Sequence, residues 1–149
     1  MTDHDPPRHD PLRSCGFVAV LGAPNAGKST LVNALVGGKV SIVSSKVQTT
    51  RSRVLGIRVI GSAQIIFVDT PGIFAAKRRF ERAMVRAAWR GAEDADAIIL
   101  LVDAVRGLDD QAGAIVGELK AAGRHAILGL NKIDLVRREK LLALAADFS

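Results

Sequence analysis

The sequence predicts an α/β domain with a mostly parallel sheet, one antiparallel edge strand and helices on both faces. Three observations carry that prediction. A short apolar run, residues 17–21, leads directly into a glycine-bearing loop and then a helical pattern. Two continuous apolar runs, residues 97–102 and 126–130, alternate with helical patterns, as strands covered on both faces do. Two more runs, residues 54–60 and 64–68, flank Gly61-Ser62, a turn signal that predicts an antiparallel edge hairpin.

Each element follows in order. Residues 1–14 hold Pro6, Pro7, Pro11 and mixed charges, and are expected to be a disordered tail before a single domain at 15–149. The first helix, residues 30–36, places Leu31, Ala34 and Leu35 on one face. A second helical pattern aligns Phe80, Ala83, Met84, Ala87 and Ala88, and a third aligns Ala112, Ile115, Val116, Leu119 and the aliphatic stem of Lys120. The last helix is expected over residues 138–147. A doubly wound sheet would add another strand after it, so the domain is expected to be truncated before its last strand and helix. Apolar residues make up 48% of the 149 and charged residues 24%, which suits a soluble globular protein. No apolar run approaches the ~20 residues of a membrane span, and no signal-peptide pattern is visible. The single cysteine, Cys15, excludes an internal disulfide, suits a reducing cytosol and reads as a small buried residue at the start of the first strand. The three histidines lack metal-ligand spacing. A net charge of +6 is compatible with nucleic acid or with a phosphate-bearing ligand, and does not separate the two.

Three motifs carry the chemistry. Gly22, Ala23, Pro24, Asn25, Ala26, Gly27, Lys28 and Ser29 fit G-x-x-x-x-G-K-[ST], with Thr30 next. Strand, glycine loop and helix bring backbone N–H groups and a helix N-terminus to one point, which is an anion site. Lys28 would reach the outer phosphates and the Ser29 hydroxyl would bind Mg2+. Asp69 ends an apolar strand and is followed by Thr70, Pro71 and Gly72. A carboxylate there faces the phosphate loop and can hold a magnesium-bound water, while Gly72 lets a backbone N–H approach a terminal phosphate. Asn131, Lys132 and Asp134 form N-K-x-D after the run 126–130. A carboxylate at Asp134 accepts from the N1–H and N2–H₂ of guanine, a donor pair adenine lacks, and such sites discriminate by roughly 10⁴–10⁵. The Lys132 stem would cover the base and Asn131 would brace the phosphate loop. In this order the three motifs point to a guanine nucleotide.

The chain resembles the Era-like GTPases of the translation-factor class, whose fold is the P-loop NTPase, Ras-like G domain. Residues 46–51 read K-V-Q-T-T-R where the family's first switch reads K-A-Q-T-T-R, and this segment separates the likeness from the related Der and MnmE GTPases. The resemblance runs from about Gly16 to Ala146. It implies a GTPase binding GTP and GDP with Mg2+ held by Ser29, Thr50 and Asp69, Thr50 being the switch threonine and Thr49 the less favoured candidate. It also implies a cytoplasmic monomer acting in small ribosomal subunit assembly, with ribosomal RNA bound by a C-terminal KH domain absent from this chain. Peripheral association with the inner membrane stays open.

Two positions bear on hydrolysis. Ile73 follows D-T-P-G, where Ras-type enzymes place a water-orienting glutamine, and an isoleucine makes no such hydrogen bond. Asn25 stands where related GTPases use an asparagine to help bind potassium, so the resemblance implies K+ there, replacing an arginine finger worth about 10³–10⁵ in rate. Lys28, Thr50, Gly72 and Asn25 are thus the expected catalytic set. Arg82, Arg86 and Arg90 line one helix face, read either as a solvated stripe or as a contact for RNA phosphates. The alternatives are a non-catalytic guanine-nucleotide-dependent binding module or a Der- or MnmE-type GTPase.

Overall fold

Period-two alternation in the first strand gives the sheet two apolar faces, and both are covered by helices. The computed structural model describes residues 14–37, 53–69 and 95–149. In chain order the elements are β1 (Ser14–Leu21), α1 (Lys28–Val36), β2 (Arg53–Ile60), β3 (Ala63–Asp69), β4 (Ala97–Asp103), α2 (Asp110–Ala121), β5 (Ile127–Asn131), a 3-10 turn (Ile133–Leu135) and α3 (Arg138–Asp147). The sheet order is β2-β3-β1-β4-β5. β1 runs parallel to β3 and β4, β4 runs parallel to β5, and β2 alone is antiparallel, against β3. The hairpin turn at Gly61-Ser62, the parallel sheet and its antiparallel edge are as the sequence predicts.

Along β1, Phe17, Ala19 and Leu21 face one core, where Ile66, Val68, Ile98, Leu100, Ile115 and Leu119 join them. Val20 faces the other core with Val32 and Phe67. α1 therefore covers one face and α2 the opposite one. Asp109 caps α2 by accepting from the Ala112 N–H at 2.9 Å, which satisfies one of the N–H groups that a helix start leaves open. α3 buries Leu144, and Phe148 just beyond it packs on the α2 side.

Three sequence expectations are corrected in detail. The buried residue of α1 is Val32, with Leu35 and Val36 half-buried, whereas Ala34 is exposed. The inward face lies one position on from the expected 31/34/35 set, because packing against Val20 and Phe67 takes Val32. Lys120 is exposed, and α2 buries Ala112, Ile115 and Leu119. β5 is not covered on both faces: it forms the edge of the sheet among the described residues, and Ile127 is 64% exposed. Cys15 is half-buried in β1, its Sγ 3.8 Å from Gln64 Oε1 on β3. The helical pattern containing Phe80 and Met84, the arginine stripe, and the positions Thr50, Thr70, Pro71, Gly72 and Ile73 lie outside the described residues. Among the described residues no helix is long and apolar enough to cross a membrane.

The packing gives a stability contrast. Ile66 is fully buried on β3, an interior strand, and Ile66→Ala is expected to lower unfolding free energy by about 2–5 kcal/mol in urea titrations. Leu142→Ala, at a position 74% exposed on α3, is expected to stay within about 0.5 kcal/mol of the parent.

Candidate functional site

The C-terminal ends of four parallel strands meet at one end of the sheet. In register, Val20 of β1 pairs with Asp69 of β3, and Asp103 of β4 pairs with Asn131 of β5. β1 lies between β3 and β4, so the chain's winding changes direction at β1. A doubly wound sheet opens a ligand crevice at such a point, beyond the strand ends. The loop 22–27 occupies that position.

Backbone geometry explains the loop's composition. Gly27 is the N-terminal cap of α1 with φ +100°, a left-handed conformation that glycine adopts without strain. A Cβ there would collide with the side-chain amide of Asn131. Gly22 is packed against β4: a Cβ would fall 2.6 Å from the Leu101 carbonyl oxygen. Asn25 is also left-handed, at φ +66°, and is exposed with Pro24. Ala26 is buried and turns the loop, its N–H donating to the Ala23 carbonyl at 3.1 Å. Gly27 offers no side chain to cap α1, and the first turn, Lys28, Ser29, Thr30 and Leu31, contains no acid. Ser29 and Thr30 are exposed on that turn. Lys28 Nζ donates to the carbonyls of Gly22 at 2.8 Å and Ala23 at 3.3 Å, so its ammonium lies over the loop.

The third motif is joined to the first by a direct bond. Asn131 Nδ2 donates to the Ala26 carbonyl at 2.8 Å, linking the end of β5 to the phosphate loop. Lys132 follows at φ +58°, a left-handed residue that swings the chain from the strand into the 3-10 turn. Asp134 lies on that turn and is exposed. Asp69 ends β3 beside the last residues of β1.

Sequence reasoning missed Asp103. Its Oδ2 accepts from Lys132 Nζ at 2.8 Å and its Oδ1 accepts from the Val105 N–H at 2.8 Å. The hydrogen bond from Lys132 is the main reason its carboxyl is held below the usual value; burial opposes this, and the Val105 N–H and the lysine charge add to the lowering. An acid closing an apolar strand was the available signal, the same signal that singled out Asp69.

A glycine loop between β1 and α1, an acid closing β3 and an N-K-x-D motif closing β5 on this sheet define a P-loop GTPase domain. The chain belongs to the family described as 50S ribosome-binding GTPase, which matches residues 17–132. It is 64% identical over 132 residues to the GTPase Era of Bradyrhizobium sp. (strain BTAi1), covering 89% of this chain and 43% of that protein. With the GTPase Era of Afipia carboxidovorans it shares 61% over 145 residues, 97% of this chain and 47% of the relative. The chain thus spans less than half the length of these relatives. Among solved structures, Era in complex with MgGDPNP and nucleotides 1506–1542 of 16S ribosomal RNA aligns with TM-score 0.69 and 42% identity, over 89% of this chain and 46% of that one. A point variant of Aquifex aeolicus Era bound to GDP and AlF4− aligns with TM-score 0.67 and 41% identity, over the same shares.

Two outcomes test this geometry. Gly27→Ala forces a Cβ into a left-handed position facing Asn131, and is expected to destabilise the domain by about 1–3 kcal/mol in denaturant titration. The lowered Asp103 carboxyl contributes stability that is fully present above its ordinary value of 3.8 and is lost as pH falls through the lower folded value. Asp103→Asn is therefore expected to lower stability at neutral pH and to converge on the parent in strong acid, read from unfolding midpoints across that range.

Proposed function

We propose that the chain is the N-terminal nucleotide domain of a longer GTPase that binds GTP and GDP, hydrolyses GTP and switches partners between the two states. The bond from Asn131 to the Ala26 carbonyl carries the reading, because it makes the phosphate loop and the base-selecting motif parts of one site. In this reading the loop 22–27 and the start of α1 hold the phosphates through backbone N–H groups, assisted by Lys28. Asp134 selects guanine, Lys132 covers the base, and Thr70, Pro71, Gly72 and Ile73 line the γ-phosphate side. Ser29, Thr50 and Asp69 would hold Mg2+, which when bound neutralises phosphate charge. The donor set suits a hard cation: an exposed hydroxyl on the first turn of α1 and an acid closing the neighbouring strand.

Ile73 leaves water orientation without a glutamine, so hydrolysis is slow unless a monovalent cation assists. Asn25, left-handed and exposed on the loop, would supply its amide oxygen to K+. A relative solved with nucleotides of 16S ribosomal RNA supports ribosomal RNA as a partner of the longer protein. The wider proposal is work in small-subunit assembly, with that RNA bound outside this domain.

The test is single-turnover hydrolysis by the full-length protein with Mg2+. Phosphate release is expected to be faster in KCl than in NaCl, and Asn25→Ala is expected to abolish the difference. Equal rates in both salts would remove the potassium role, and absence of release in either would leave a nucleotide-dependent binding module. Asp134→Asn is expected to reduce the preference for GTP over ATP by roughly 10²–10⁴-fold in competition binding; an unchanged preference would refute the base assignment.

A further inference from the structure

We propose that Asp103 is a positioning residue of the guanine site, acting through Lys132; this rests on the nucleotide-binding reading above. Asp103 belongs to none of the three motifs, yet it is built into their meeting point. It closes β4 opposite Asn131 in the parallel register, and the Ala104 N–H donates to the Asn131 carbonyl at 2.9 Å. Its two carboxylate oxygens have separate tasks. Oδ1 takes the Val105 N–H at 2.8 Å and shapes the turn after β4, while Oδ2 takes Lys132 Nζ at 2.8 Å. The Asp103 side chain is 13% exposed and that of Lys132 is 36%, so the pair is only partly screened by water.

Lys132 has a long side chain with four rotatable bonds and stands on a left-handed backbone. Its backbone is bent toward the 3-10 turn that carries Asp134, and its ammonium is held on the β4 side. A stem held at both ends presents one apolar edge instead of many, so less freedom remains to be lost when a base docks on it. Arg106, the nearest competing cation in sequence, is paired with Asp109 at 2.8 Å, which leaves Asp103 to Lys132.

The experiment uses the full-length protein and a fluorescent GDP analogue, with equilibrium titration, stopped-flow dissociation and urea unfolding in the absence of nucleotide. Asp103→Asn keeps an oxygen for the Val105 N–H and removes the charge that holds Lys132. It is expected to raise the dissociation constant about three- to fivefold, the size of a half-screened ion pair, through faster dissociation. KM for GTP is expected to rise by more than kcat falls. In a Lys132→Met background the same substitution is expected to add nothing further. The proposal is overturned if Asp103→Asn binds like the parent while Asp103→Ala unfolds more readily, which would make the residue a turn former only. It is equally overturned if the loss persists in full without Lys132. Failure of the parent protein itself to bind the analogue would refute the nucleotide reading, and is distinguished from both by that first titration.

Discussion

The site depends on a reach across the sheet. β1 and β5 are not neighbours; β4 lies between them, which sets their axes roughly 10 Å apart. The loop after β1 and the residue closing β5 nevertheless meet in a single bond, Asn131 Nδ2 to the Ala26 carbonyl. That bond requires the loop to lie flat over the end of β4, and Gly22 permits it by leaving no Cβ against the Leu101 carbonyl. It also requires Gly27 to be bare, since the Asn131 amide takes the space where a Cβ would stand. Two glycines and one asparagine, far apart in the chain, answer one steric condition.

The same arrangement aims the start of α1 at the loop. The start of α1 carries the positive end of the helix dipole; no side chain caps it, and its first turn holds no acid. Lys28 adds a full positive charge at the same end, held by two carbonyl oxygens of its own loop. An anion placed at the helix start would meet this favourable field. An attraction for anions therefore follows from the helix start itself, before any contact specific to guanine.

Much of this was legible from residue order, and the parts that were not share a cause. The strands, the hairpin and the three motifs are local patterns of a few residues, and each can be read without knowing what lies beside it. The phase of α1 cannot, because Leu31 and Val32 are equally apolar and only packing against Phe67 and Val20 shows that Val32 is the inward one. Ile127 looked like a core residue because an apolar run says nothing about which strand ends at the sheet edge. Asp103 is the sharpest case. Its identity was visible as an acid closing a strand, but its role depends on the parallel register that sets it beside Asn131 and within reach of the next residue.

That register also explains why N-K-x-D works as a unit at the end of β5. A strand alternates its side chains, so continuing it past Asn131 would send Lys132 to the opposite face and Asp134 away from both. Lys132 breaks the alternation by turning left-handed, which in a residue with a Cβ requires support from its surroundings. The support is available on the neighbouring strand: Asp103 holds the side chain, and the Ala104 N–H holds the carbonyl of Asn131 just before the bend. With the bend secured, three successive functions separate in space. Asn131 points to the phosphate loop, Lys132 lies along β4, and Asp134 stands out on the 3-10 turn facing solvent. A residue inserted anywhere between Asn131 and Asp134 would keep every side chain and lose this division, so the spacing of the motif is set by the geometry of the bend as much as by the base it would select.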